Sequence, residues 1–162
     1  MEEITTVRPS LTPATIRPMH PADIDNVLSI TAALPTAPRW PRETYLDALD
    51  TTHHPPRLAL VAEADSEILG FIVVSLLSPE AELESVAVAP QAQRQGIARQ
   101  LLEAAITTIR SLGVHTLFLE IRASNHPAAA LYSRAGFRET GRRPNYYSAP
   151  TEDAILMQLN LL

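Results

Sequence analysis

The sequence predicts a single mixed α/β domain, a central sheet carrying helices. Residues Leu83–Ile121 read as strand, amphipathic helix, strand, a unit that requires parallel pairing and a right-handed crossover. Residues Leu58–Leu77 read as two apolar strands about an Asp65-Ser66 turn, an antiparallel hairpin. The chain has 162 residues, 46% of them apolar and 19% charged, which suits one domain with a real core.

The elements follow in order. Residues 1–11 read as a flexible N-terminal tail, and residues 12–162 as the domain. Ala14–Arg17 is the first strand. Pro21 opens a helix with Ile24, Val27, Leu28 and Thr31 on one face. Leu34–Pro41 is a Pro-rich connection around Trp40. Nine of the fourteen prolines precede residue 57, so the N-terminal connections are stiffened. Arg42–Leu49 is a second short helix, with Tyr45, Leu46 and Leu49 as an inward stripe. Leu58–Ala64 and Ile68–Leu77 form the hairpin, and Leu83–Ala89 is a third central strand. Gln95–Leu112 is a helix burying Ile97, Leu101, Leu102, Ala105, Ile106 and Ile109, closed by Gly113. Thr116–Ile121 is short and apolar, as a buried strand is. Asn125 caps a helix running to Ala135, with Gly136 at its end. Phe137–Thr140 and Ala154–Leu159 complete the sheet.

Composition narrows the function. The net charge of −5 argues against nucleic acid as the main partner and favours a basic amine or peptide. No run of about 20 apolar residues exists to span a membrane. Met1-Glu2-Glu3 opens the chain without an apolar stretch, so no signal peptide is expected and the cytosol is the expected location. There is no cysteine, which removes disulfides, thiolate metal sites and an acyl-cysteine intermediate. His20, His53, His54, His115 and His126 lack the spacing of a zinc site, and no metal is expected. His53-His54-Pro55-Pro56 reads as an exposed loop.

The most informative stretch is Val86-Ala87-Val88-Ala89-Pro90-Gln91-Ala92-Gln93-Arg94-Gln95-Gly96-Ile97-Ala98-Arg99. An apolar strand runs through a Gln-x-x-Gly-x-Ala turn into a helix. The first turn of a helix leaves backbone N–H groups unpartnered, and with the helix dipole they attract an anion. Gly96 lacks a Cβ and Ala98 is small, so a diphosphate can approach the backbone. Arg94 and Arg99 add positive charge. An ordinary strand–helix turn would use the same glycine. Neither a P-loop nor a dinucleotide fingerprint is present.

Further on, Glu120 ends an apolar strand, where ligand sites in α/β sheets gather. A carboxylate held there can serve as a general base, and a strand-end Glu paired with Arg122 or another Arg fits equally well. Asn125 can cap its helix and still offer an amide to a ligand. Tyr132 lies seven residues on, two helical turns along the same face. A phenol with a pKa near 10 stays protonated and can donate to a departing thiolate; a core aromatic is the other reading.

These segments resemble the GNAT N-acetyltransferases. Residues Leu83–Met157 carry the resemblance, through Gln93-Arg94-Gln95-Gly96-Ile97-Ala98-Arg99, Leu119-Glu120-Ile121-Arg122-Ala123-Ser124-Asn125, Ala130-Leu131-Tyr132, Gly136-Phe137, Asn145-Tyr146-Tyr147 and Glu152-Asp153-Ala154. The Glu-x-Arg-Ala-Ser-Asn and Asn-Tyr-Tyr segments are similar to the RimI type within that family, which acetylates the N-terminal alanine of a small-subunit ribosomal protein. The resemblance implies a mostly antiparallel mixed sheet with a parallel pair at the CoA cleft and helices on both faces. It implies Glu120 as general base and Tyr132 as general acid. It implies that Val86, Ala87 and Val88 pair with the pantetheine arm, that Arg94, Gln95, Gly96, Ile97, Ala98 and Arg99 hold the pyrophosphate, and that Asn125 binds the lower part of CoA. Trp40, Tyr45, Tyr146 and Tyr147 fall where the acceptor peptide binds. The chain departs from the pattern at three places. Pro38-Arg39-Trp40-Pro41 replaces Pro-Trp-Ser, Ala98 replaces the second glycine of the cradle, and the turn between Tyr147 and Glu152 is short. The first and third bear on the acceptor.

The implied chemistry is direct transfer from acetyl-CoA to an amine. An α-amino group has a pKa near 8 and a lysine near 10.4, so the N-terminus is about 3 kcal/mol easier to deprotonate at neutral pH. That favours an N-terminal acceptor, with a basic peptide as partner. Glu82 and Glu84 lie on one face of the central strand as alternative bases. A small-molecule amine as acceptor and a non-catalytic acyl-CoA-binding module are the competing functions.

Overall fold

The computed structural model describes residues 13–162; the tail expected over residues 1–11 lies outside them. Its elements are β1 (Thr15–Pro18), α1 (Ile24–Ala32), α2 (Arg42–Leu49), β2 (Arg57–Ala64), β3 (Glu67–Leu77), β4 (Glu80–Val88), α3 (Ile97–Ser111), β5 (Thr116–Arg122), α4 (His126–Arg134), β6 (Arg138–Tyr147) and β7 (Glu152–Asn160). The strands form one sheet in the order β1-β2-β3-β4-β5-β7-β6. Every neighbouring pair is antiparallel except β4 and β5, which run parallel and are joined through α3.

Local chemistry explains most boundaries. Asp65 and Ser66 both take positive φ (50° and 62°), the backbone that a tight β2–β3 hairpin requires. Gly96 (φ 79°) opens α3 and Gly113 (φ 84°) follows its end. α3 therefore starts at Ile97 rather than Gln95. The Asn125 side chain accepts from the Ala128 N–H at 3.2 Å and caps α4, as expected.

Helices cover both faces. Tyr45 of α2 meets Phe71 of β3 edge-on, with ring centroids 5.8 Å apart. Gly70, the preceding residue, faces α3 from the other side of the sheet. A Cβ there would come within 2.8 Å of the Ala87 carbonyl and 3.3 Å of the Ile97 and Leu101 side chains, so α3 seats against the strands only because residue 70 is glycine. β5 to β6 continues across the sheet in the same direction as β4 to β5. A right-handed crossover therefore puts α4 on the α3 face. The core spans both layers, and Phe71, Ile72, Val73 and Val74 are buried in succession because β3 is covered on each side.

Two further features differ from expectation. The strand expected at Phe137–Thr140 extends to Tyr147, straight through Pro144. β6 is the sheet's edge strand, where a missing N–H costs no ladder bond, and its pairing with β7 slips between Arg143 and Tyr147. In α2 the inward stripe is Tyr45 and Ala48, with Leu49 partly buried against the core as expected, while Leu46 is exposed.

Candidate active site

The sheet opens at its centre. β4 and β5 pair only from Glu80–Glu82 to Thr116–Phe118. Beyond that point residues 83–88 have β3 on one side and no strand on the other. This is an unpaired edge inside the molecule, able to accept an extended chain as an added strand. At the same point β4 slips against β3: Val73 faces Ser85 and Val74 faces Leu83, leaving Glu84 as the bulged residue. Val86, Ala87 and Val88 lie on the open stretch. The Val88 carbonyl accepts from the Gln93 side chain at 3.2 Å, which ties the following turn back to the strand.

Because β4 and β5 are parallel, their C-terminal ends lie together, and so do the helix N-termini that follow them. At the first, Gln93–Gly96 turn into α3. The Gly96 carbonyl accepts from the Gln100 N–H at 3.0 Å, and no side chain caps the helix. The amides of Ile97, Ala98 and Arg99 are thus the open donors of its first turn. Nothing lies within 4 Å of where a Gly96 Cβ would stand, so the approach is clear. Arg94 sits in the same turn with positive φ, and Gln95 reaches back to the Gln91 carbonyl at 3.5 Å. Arg99 is exposed and held 2.8 Å from Glu103. At the second N-terminus the Asn125 oxygen is spent on its cap, leaving the amide NH2 to donate.

The two expected proton-transfer groups belong to β5 and to the helix that follows it. Glu120 is half-buried on β5, on the same face as Glu82, the residue paired with Ser75. Tyr132 belongs to α4 on the α3 face, packed against Phe137 with ring centroids 5.4 Å apart. It is 3% exposed, and burial raises the pKa of its phenol, which keeps it protonated at any ordinary pH.

On the Glu120 face lies a cleft of about 250 Å³ lined by Pro38, Trp40, Glu82, Leu83, Glu84, Glu120, Tyr146 and Tyr147. Of the two partners the sequence leaves open for Glu120, Arg122 or another arginine, the structure takes the second. Glu120 pairs with Arg143 of β6 at 3.3 Å, not with Arg122. Arg122 instead lies 4.6 Å from the Tyr147 ring centroid and bonds the carbonyls of Ser148 and Pro150 and the Glu152 carboxylate. Glu152 in turn accepts from the Ser124 N–H, so this one arginine braces the β6–β7 turn against the corner before α4. Tyr146 and Tyr147 meet edge-on, and Arg143 lies over Tyr146. Glu120 beside the Tyr146 hydroxyl raises the pKa of that phenol; burial, then Glu120, raises that of Tyr147. Glu84 is held by Arg57 at 2.7 Å, whereas no ion pair engages Glu82 among the described residues. Burial raises the Glu82 pKa first, and the charges of Glu84 and Glu120 raise it further.

One expected acceptor residue is displaced. Tyr45 is fully buried between Trp40, at 5.4 Å, and Phe71. It supports Trp40 from behind and does not line the cleft, because its position in α2 points toward β3. Arg143 and Arg57 were missed: each meets a cleft carboxylate, Glu120 or Glu84, from a strand distant in sequence, which leaves no local pattern. Among the described residues no group of His, Asp and Glu is disposed to hold a metal ion, and no helix is long and apolar enough to cross a membrane.

Comparison with known proteins identifies the family and the fold. The acetyltransferase (GNAT) family model matches residues 25–137. The chain is 44% identical over 104 residues to the [ribosomal protein bS18]-alanine N-acetyltransferase of Salmonella typhimurium, covering 63% of this chain and 70% of that one. It is 34% identical over 142 residues to the Haemophilus ducreyi protein of the same name, covering 86% and 94%. The crystal structure of the ribosomal-protein-S18-alanine N-acetyltransferase from Escherichia coli superposes with a TM-score of 0.81 at 34% identity, covering 91% of this chain and 94% of that chain.

Proposed function

Since the chain belongs to the GNAT acetyltransferase family and is an acetyl-CoA-dependent enzyme, we propose that its acceptor is the N-terminal α-amine of a protein, an alanine of a small-subunit ribosomal protein such as bS18. One observation carries the reading. At the gap between β4 and β5 lies a carboxylate cleft walled by Trp40, Tyr146 and Tyr147, and the helix after β5 carries the buried, neutral phenol of Tyr132. An amine and a thioester meet in that gap.

In this mechanism the amides opening α3, with Arg94 and Arg99 beside them, hold the diphosphate of acetyl-CoA. The open edge of β4 carries the pantetheine arm, and Asn125 donates to its lower part. Glu120 removes a proton from the acceptor ammonium. The amine nitrogen bonds to the thioester carbonyl carbon, and the Val88 N–H stabilises the oxyanion. As the C–S bond breaks, Tyr132 gives its proton to the leaving thiolate, the second proton of the attacking nitrogen passes to water, and the phenolate is reprotonated from solvent. The carboxylates suit a basic peptide, and such an acceptor places the work in the cytoplasm.

The test is CoA release from acetyl-CoA with an Ala-starting basic peptide, with small amines, and with neither. Turnover with the peptide supports the reading. Turnover with small amines alone reassigns the acceptor, and acetyl-CoA binding with no turnover makes the domain a binding module.

A further inference from the structure

The bulge at Glu84 is gripped from two strands away. Arg57 of β2 extends past β3 and meets the Glu84 carboxylate with two nitrogens, Nε to Oε1 at 2.7 Å and Nη2 to Oε2 at 3.4 Å. Both side chains are largely buried, at 15% and 19% exposure, so the pair is a fixed one and not a mobile surface contact. Glu84 is the residue that β4 leaves out of its pairing with β3, and it stands two residues past the last β4–β5 pair. The hold is therefore applied where the central gap begins.

The surroundings make the charge matter as well. Three carboxylates line the cleft: Glu82 and Glu84 from β4 and Glu120 from β5. Facing them are Arg143, Tyr146 and Tyr147 of β6, and Asp47 of α2 acts on Arg57 from behind. Arg143 is more than half exposed and Arg57 is not, so Arg57 is the cation least screened by water.

We propose that Arg57 is a positioning residue for acyl transfer: it fixes the bulged Glu84 at the opening of the gap and cancels one of the three carboxylate charges facing the acceptor. This rests on the acyl-transfer reading of the site. Fixing Glu84 sets the direction of Ser85–Val88, whose open edge carries the pantetheine arm. Cancelling its charge leaves Glu82 and Glu120 to meet a single ammonium.

The experiment follows the Glu82 carboxyl by carbon-13 NMR titration in wild type, R57Q, R57K and the double variant R57Q/E84Q, with kcat measured on each. In R57Q, Glu84 stands uncompensated beside Glu82, and Glu82 titrates about one pH unit higher. The double variant removes both charges and returns Glu82 to the wild-type value or below. R57K keeps the charge without the two-pronged grip, so Glu82 stays near wild type while kcat falls about tenfold. An unmoved Glu82 titration in R57Q overturns the charge role, and wild-type kcat in R57K overturns the positioning role. The titration needs no acceptor. A wild-type enzyme that releases no CoA with any amine therefore counts against the acyl-transfer reading alone.

Discussion

The Arg143 guanidinium lies 3.3 Å from the Glu120 carboxylate, reaching from β6 to β5. Arg143 is 57% exposed on its side chain, and an ion pair so open to water contributes only about 0.2–1 kcal/mol. An incoming ammonium can therefore displace it at little cost. Initial-rate kinetics should show R143Q with kcat within about threefold of wild type and a lower KM for the acceptor. E120Q, which removes the base, should lose kcat by about a hundredfold or more. Equal losses in the two variants would place Arg143 in the chemistry.

Tyr132 is buried and held neutral, so in proton transfer it can act only as an acid. A thiolate is already a good leaving group, since a thiol has a pKa near 8.5. Protonation therefore helps without being indispensable. Y132F should lower kcat about tenfold to a hundredfold while calorimetry shows unchanged acetyl-CoA affinity. Weakened binding with unchanged kcat would make Tyr132 a packing residue for α4.

Gly96 and Gly113 form a natural control pair at the two ends of α3. Both have positive φ, 79° and 84°, and neither has an atom within 4 Å of a built Cβ. A valine at either position carries the same left-handed backbone strain, about 1–2 kcal/mol. Only Gly96 borders the proposed diphosphate site. G96V and G113V should lose similar thermal stability, and only G96V should lose acetyl-CoA affinity, by at least about tenfold. Equal affinities would remove the cradle.

Local signals made the strand–helix–strand unit legible. The apolar residues Leu117, Phe118, Leu119 and Ile121, the glycines at 96 and 113 and the Asn125 cap each act within a few residues. The proposed cradle and the proposed roles of Glu120 and Tyr132 likewise rest on contiguous motifs. What escaped the sequence depends on partners far along the chain. The extension of β6 to Tyr147 is set by pairing with Glu152 and by its edge position, which overrides Pro144 as a breaker. Glu120 finds Arg143, not the Arg122 two residues away, because Arg122 is drawn to the β6–β7 turn. Tyr45 looked like an acceptor contact because aromatic residues serve both cores and clefts; helix phase decided for the core.

Asp23 gives the fold a pH dependence separate from the site. Its carboxylate accepts from two Arg17 nitrogens at 2.8 and 2.9 Å and from the His20 N–H at 2.8 Å, and Arg17 also binds Glu63 of β2. This joins the entry of α1 to β1 and β2. The Arg17 hydrogen bonds hold the Asp23 pKa below the ordinary carboxylate value, against the opposing effect of burial. A carboxylate with a lowered folded-state pKa adds stability that is complete above its unfolded pKa and is lost as pH falls through the folded one. D23N should therefore be about 2 kcal/mol less stable than wild type at neutral pH, with the gap narrowing as the pH drops below about 4. Urea unfolding of both proteins at neutral pH and near pH 3 measures this. A gap that persists undiminished in acid would mean that shape and hydrogen bonding at Asp23, and not its charge, hold α1 to the sheet.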